Sequence, residues 1–106
     1  MSKYLIHVTY TGEGLKGLIA EGGSGRERAV EETLASVGGT LDWMYFALGH
    51  EDLYCVVDVP DQTDMAAVAM AARSSGAVQS WAVPLLSVSE MDEAARKTVS
   101  FRGPGA

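Results

Sequence analysis

Apolar and polar residues alternate along four segments of the chain, and this alternation predicts four β-strands. The first strand runs from Lys3 to Tyr10. The second and third, 40–49 and 52–59, are joined by a tight turn and are predicted to form a hairpin. The fourth runs from residue 78 to about residue 86, and Pro84 within it indicates an edge strand or a bulge.

Two other segments repeat their apolar residues with the period of an α-helix. In the first, Ser24 and Glu27 form a capping-box pattern ahead of the apolar positions, and Gly38-Gly39 ends the helix. The preceding segment, 11–25, is rich in glycine and predicts a loop that contains one short helical turn. This interpretation leaves a single complete helix between the first two strands.

A second helix, rich in alanine, follows the third strand and begins at Asp61 or Thr63. A short terminal helix begins at Ser87 or Ser89 and ends near Lys97. The resulting order is β-α-β-β-α-β with one additional helix. It predicts the α+β class, as a ferredoxin-like βαββαβ sandwich with an antiparallel four-stranded sheet of order 4-1-3-2.

Length, composition and charge limit the classes of protein to consider. The 106 residues predict one domain over 1–97 and a flexible C-terminal tail over 98–106. A hydrophobic content of 47% excludes wholesale disorder, and a single cysteine excludes a disulfide scaffold. A net charge of −6 argues against binding to nucleic acid or to an anionic membrane. No apolar run approaches the length of a membrane span, and we expect a cytoplasmic protein.

The predicted helices can cover only one face of the sheet, yet both faces contain apolar residues. On the uncovered face we place Leu5, His7 and Thr9 of the first strand with Tyr54, Val56 and Asp58 of the third. The second strand adds either Trp43 and Tyr45 or Met44, Phe46 and Leu48, and the fourth adds either Trp81 and Val83 or Val78 and Ala82. An apolar patch of this size is typical of an interaction site. We therefore expect a homo-oligomer, at least a dimer, formed sheet to sheet or edge to edge.

Three side chains on that face form the first candidate site. His7, Asp58 and Tyr54 could transfer a proton inside an apolar cavity of the oligomer, because burial shifts the pKa values of such groups. The alternative is a polar cluster that only satisfies its own hydrogen bonds across the sheet. One histidine and one carboxylate are too few ligands for a metal ion, and we expect neither a metal nor a cofactor.

Basic residues near the start of the predicted helix form a second candidate site. Lys16, Arg26 and Arg28 could hold an anion there, because free backbone N–H groups at a helix N-terminus favour negative charge. Ordinary surface charge is the alternative. Trp81 of the fourth strand is a further candidate for contact with a small ligand.

Glycines at positions 12, 14 and 17 fit the G-x-G-x-x-G pattern of dinucleotide-binding sites. The context differs, because the chain is too short for a doubly wound sheet and no acidic residue ends the second strand. The pattern is interpreted as a tight turn around a short helix.

The chain resembles the GYD family over about residues 3–90, most specifically in Y-T-x-E-G-L-K-G (10–17) and in Gly38-Gly39. Gly49 and Asp52 match the outer residues of the Gly-Tyr-Asp motif for which the family is named, with Glu51 where the tyrosine is expected. The resemblance implies a fold like the dimeric α/β-barrel proteins and no particular activity. Proteins with that barrel include cofactor-independent monooxygenases, haem-binding dye-decolourising enzymes, isomerases and effector-binding domains.

Three functions follow as expectations. The first is an oligomeric module that binds a small molecule or serves a structural role, without established catalysis. The alternative is an enzyme of the cofactor-independent monooxygenase or isomerase type, with His7 and Asp58 in the barrel cavity. A further alternative is an anion-binding regulatory module.

Overall fold

A computed structural model describes residues 1–106, which form one four-stranded sheet and three helices. In chain order the elements are β1 (Ser2–Tyr10), α1 (Gly12–Ala35), β2 (Thr40–Phe46), β3 (Leu53–Val59), α2 (Gln62–Ser74), β4 (Val78–Leu85) and α3 (Val88–Ala95). The sheet is antiparallel throughout, in the order β2-β3-β1-β4, which is the predicted order read from the other edge. The α+β class, the hairpin and the edge position of β4 are thereby confirmed. No helix has both the length and the apolar content that crossing a membrane requires.

The start of α1 differs from the prediction. The helix begins at Gly12, and Thr11 caps it by accepting a hydrogen bond from the Gly14 backbone N–H. The prediction of a loop over 11–25 is therefore wrong, because this cap and the hydrogen bonds from Thr11 to the Ala77 carbonyl outweigh the low helix propensity of glycine. One local break remains at Gly22, where φ is 76° and the helix kinks. Ser24 lies inside the helix after this kink.

The core lies between the sheet and the two longer helices. Most of its buried side chains come from the two central strands: Tyr4 and Ile6 of β1, and Leu53, Cys55, Val57 and Val59 of β3. Each helix adds only one buried side chain, Leu34 from α1 and Met65 from α2. Because α1 packs mainly over β2 and α2 mainly over β4, the helices lie towards opposite edges of the sheet.

Two glycines of the sequence motifs are required by close backbone approaches. A Cβ atom at Gly14 would lie 2.0 Å from the carbonyl oxygen of Ala77, and one at Gly39 would lie 2.7 Å from that of Asp58. A Cβ atom at Gly12 or Gly17 would meet nothing within 4 Å. The glycine pattern over 12–17 therefore has a packing explanation at its middle position, where α1 starts against the segment that leads into β4.

Side chains cap the two remaining helices. Asp61 caps α2 in a capping box with Asp64, and Ser87 caps α3 in a capping box with Glu90. These contacts decide between the two start positions that the sequence allowed for each helix. Beyond β4 every residue from 86 to 102 is exposed. This projecting segment contributes to a radius of gyration of 16.9 Å, against about 13 Å for a compact chain of this length.

Candidate functional site

A row of aromatic side chains crosses the face of the sheet that no helix covers. The strand register places Tyr45, Tyr54, His7 and Trp81 side by side on β2, β3, β1 and β4. We call this surface the open face and define it by Leu5, His7, Trp43, Tyr45, Tyr54, Val56, Trp81 and Val83. The register decides both alternatives that the sequence left open, in favour of Trp43 with Tyr45 and of Trp81 with Val83.

His7 is held at the centre of this row. Its ring stacks on Trp81 with centroids 5.7 Å apart and on Tyr54 with centroids 6.1 Å apart. Its Nδ1 lies 3.4 Å from Oε1 of Glu51, which belongs to the loop between β2 and β3. The other oxygen of Glu51, Oε2, is buried and accepts no hydrogen bond. A buried carboxylate oxygen without a partner is costly, and such groups are often found at functional sites.

Asp58, the expected partner of His7, lies elsewhere on the same face. In the register of β1 and β3 it opposes Lys3, whereas His7 opposes Tyr54. These two pairs are separated by four residues, or about 13 Å along the strands. Lys3 Nζ donates to Asp58 Oδ2 at 2.6 Å and also contacts Asp42. Hydrogen bonds to Asp42 and Asp58 raise the pKa of Lys3. Of the three catalytic candidates, His7 and Tyr54 are together and Asp58 is apart from them.

A second site lies on the other side of the sheet. Between α1, α2 and strands β1, β3 and β4 is a cleft of about 320 Å³, of whose 20 lining residues 16 are hydrophobic. The four polar ones are Arg26, Thr33, Ser75 and Ser80. We call this space the cleft. The sequence did not reveal it, because periodicity assigns residues to a face without fixing how far apart two helices lie on that face.

Arg26 is the only charged residue that lines the cleft. Its Nη1 lies 3.3 Å from Oε1 of Glu21, and its Nε is buried and donates no hydrogen bond. Tyr10 and Cys55 also line the cleft. Burial raises the pKa of the Tyr10 phenol, and it raises the pKa of the Cys55 thiol to about 11. Both groups are therefore protonated at neutral pH, which leaves Tyr10 a hydrogen-bond donor and Cys55 a poor nucleophile.

The three ligand-binding candidates from the sequence do not share one site. Arg26 lines the cleft, and Trp81 lies on the open face, on the opposite side of the sheet. Lys16 lies on the exposed surface of α1, where its Nζ is 3.5 Å from Oε1 of Glu13. Arg28 is exposed and does not line the cleft. Only Arg26 combines a positive charge with a cavity.

The two motif residues of the hairpin differ in their contacts. Asp52 Oδ2 accepts a hydrogen bond of 2.8 Å from the Tyr10 backbone N–H, and the Asp52 N–H donates one of 2.9 Å to the Val8 carbonyl. Asp52 therefore ties the hairpin loop to the end of β1 and holds the adjacent Glu51 near His7. A Cβ atom at Gly49 would meet nothing within 4 Å.

Comparison with known proteins adds one finding to this geometry. The chain matches no curated protein sequence and no solved structure. The family model of the GYD domain matches residues 4–95 of the 106, from the third residue of β1 to the end of α3. This range contains the cleft, the open face and the hairpin loop with Asp52. Because the match covers most of the chain, the protein belongs to the GYD domain family.

Proposed function

We propose that this protein binds a small, largely apolar molecule in the cleft and does so as a homodimer. The cleft carries the first part of the proposal. Its volume of about 320 Å³ lies at the lower end of the range of ligand pockets, and its lining is mainly apolar with a few polar groups, as is usual for such sites. An apolar ligand in the cleft would make dispersion contacts with its aliphatic lining.

Filling the cleft tests this proposal. Ala72 lines the cleft, whereas Ala66 is exposed on the same helix and does not line it. We expect 1-octanol to cause saturable shifts in the ¹H–¹⁵N spectrum of the wild type at residues such as Val68 and Ala77. Ala72→Phe should weaken this binding at least tenfold because its ring occupies the space, and Ala66→Phe should leave it unchanged. The proposal fails if the wild type gives no saturable shifts, or if folded Ala72→Phe binds as the wild type does.

The open face supports the second part of the proposal, a dimer in which two sheets pack together as in a dimeric α/β barrel. The chain has an accessible surface of 7275 Å², whereas a compact monomer of 11.2 kDa has about 5,700 Å². Part of this excess belongs to the exposed segment 86–102, and the open face adds to it because no helix covers its aromatic side chains. Tyr45, Trp43 and Trp81 are the large exposed aromatic residues that such packing would cover.

A second candidate function, proton-transfer catalysis on the open face, is favoured by the contact between His7 and Glu51. A carboxylate beside Nδ1 orients the imidazole ring and leaves Nε2 free to exchange a proton with a substrate. In a dimer formed through the open face, this pair would be enclosed between the two sheets. Glu51 would then act as the partner of His7 in the role that the sequence assigned to Asp58.

A further inference from the structure

We propose that the ligand of the cleft is an amphipathic carboxylate, with its anionic head on Arg26 and its apolar body among the aliphatic side chains. The inference rests on the proposed function, because it names the chemical class of ligand for the same cleft. Three observations support it: the charges around the cleft, the contacts of Arg26 and the volume of the cleft.

The lining of the cleft carries a positive charge, whereas the whole chain has a net negative charge. The chain has 14 acidic and 8 basic residues, yet the cleft is lined by one arginine and by no acidic residue. A guanidinium group beside an apolar wall loses water of hydration, and a counter-charge offsets that cost. Glu21 supplies part of that counter-charge from outside the lining, through Nη1 alone. A ligand with one negative charge would supply the rest of the counter-charge that Arg26 requires.

The guanidinium of Arg26 has one edge whose buried Nε makes no hydrogen bond. Glu21 approaches Nη1, while Nε donates no hydrogen bond. Nε and Nη2 form the side edge of a guanidinium, and a carboxylate can accept two parallel hydrogen bonds from such an edge. A carboxylate would reach this edge after a small movement of the atoms that cover Nε, and it would then give Nε the acceptor that it lacks. The Tyr10 phenol, which also lines the cleft, would add a third donor.

The volume of the cleft limits the size of its ligand. At about 30 Å³ for each non-hydrogen atom, the share that a water molecule occupies in the liquid, 320 Å³ holds about ten such atoms. Octanoate has this size and combines a carboxylate with an unbranched apolar chain. Octanamide has the same shape without the charge, and the two form a matched pair of probes.

The test is a calorimetric titration of octanoate and octanamide at pH 7 into the full-length protein. We expect the wild type to bind octanoate about tenfold or more tightly than octanamide, because hydrogen bonds to a charged group are the stronger ones. Arg26→Gln should abolish this preference. Arg26→Lys should retain only part of it, because lysine lacks the planar edge with two parallel donors that a guanidinium offers. Glu21→Gln should strengthen octanoate binding by removing a competitor for the guanidinium. Arg28→Gln is the matched control and should change nothing.

The outcomes separate this inference from the proposed function. Equal affinity of the wild type for the two probes overturns the inference and leaves a cleft that binds neutral molecules. Failure of both probes to bind overturns the proposed function as well. If Arg26→Gln does not fold, as judged by circular dichroism, Glu21→Gln decides: unchanged octanoate affinity in that variant overturns the inference.

Discussion

The imidazole of His7 lies between two aromatic rings and beside one carboxylate, and this environment predicts which ring nitrogen carries the proton. Glu51 Oε1 near Nδ1 favours the neutral tautomer with the proton on Nδ1. We expect Glu51→Gln to lower the population of this tautomer at least twofold, because the substitution removes the negative charge that lies 3.4 Å from Nδ1. The ¹⁵N chemical shifts of the imidazole measure the two populations.

The control for this experiment is Asp58→Asn. Asp58 is bonded to Lys3 and lies about 13 Å from the His7 row along the strands, so this variant should leave the tautomer unchanged. A tautomer that responds to Asp58→Asn and not to Glu51→Gln would contradict the assignment of Glu51 as the partner of His7. It would also restore Asp58 to the candidate site.

At the scale of single residues, the sequence predicts only part of the site around His7. Strand alternation places His7, Tyr54 and Asp58 on one face, because side chains in a strand point to alternate faces. It does not say which residues of neighbouring strands oppose one another, and that register separates Asp58 from His7. The contact with Glu51 depends on the path of the hairpin loop, which Asp52 fixes through backbone hydrogen bonds of β1. No periodic pattern encodes such a loop.

Among the helices, α2 has an N-terminus whose stability depends on pH. The Thr63 hydroxyl and the backbone N–H groups of Asp64 and Thr63 donate hydrogen bonds to the Asp61 carboxylate, and these lower its pKa from the ordinary value of 3.8. Because the folded pKa is lowered, the contribution of this cap is complete above pH 3.8 and is lost as the pH falls through the folded value.

Thermal unfolding of the Asp61→Ala variant tests this cap. We expect its midpoint to lie about 5 °C below that of the wild type at pH 7, a usual effect of losing an N-cap in a small domain. The difference should shrink as the pH falls below 3.8, where the wild-type carboxyl becomes protonated. Asp61→Asn keeps a capping oxygen without a titrating group and should stay near the wild type at pH 7. A difference for Asp61→Ala that is the same at pH 2 and pH 7 would contradict the role of the charged carboxylate.

The elements that the sequence predicts well are those with a clear period and a distinct end. The four strands and α2 fulfil both conditions, and their observed bounds lie within a few residues of the predicted ones. The first half of α1 fulfils neither, since glycine has low helix propensity and Ser24 with Glu27 offers a competing start. Thr11, with Glu13 in the first turn, is the signal that marks the true start. The cleft depends on the spacing of α1 and α2, which is a tertiary property.

At the scale of the whole molecule, the single chain leaves large apolar side chains exposed on the open face. The nine buried apolar residues lie mainly on β1 and β3, while large aromatic residues of β2 and β4 remain exposed on the open face. The sequence predicts this surplus, because apolar residues occur on both faces of strands that helices cover on one side only. It does not specify whether a second copy would pack on the open face or pair along an edge of the sheet.

Charge placed on the open face should dissociate the proposed dimer. Tyr45, on this face, is 70% exposed, and Met70, on α2 and outside both the open face and the cleft, is 67% exposed, so they form a matched pair. We expect light scattering of the wild type at micromolar concentration to give twice the mass of the 11.2 kDa chain.

Tyr45→Glu should weaken the dimer at least tenfold, because a carboxylate would be desolvated in the interface. Met70→Glu adds the same charge to a chain of net charge −6 and should leave the mass unchanged, which separates burial from overall repulsion. A monomeric wild type, or equal dissociation of the two variants, would contradict a dimer formed through the open face.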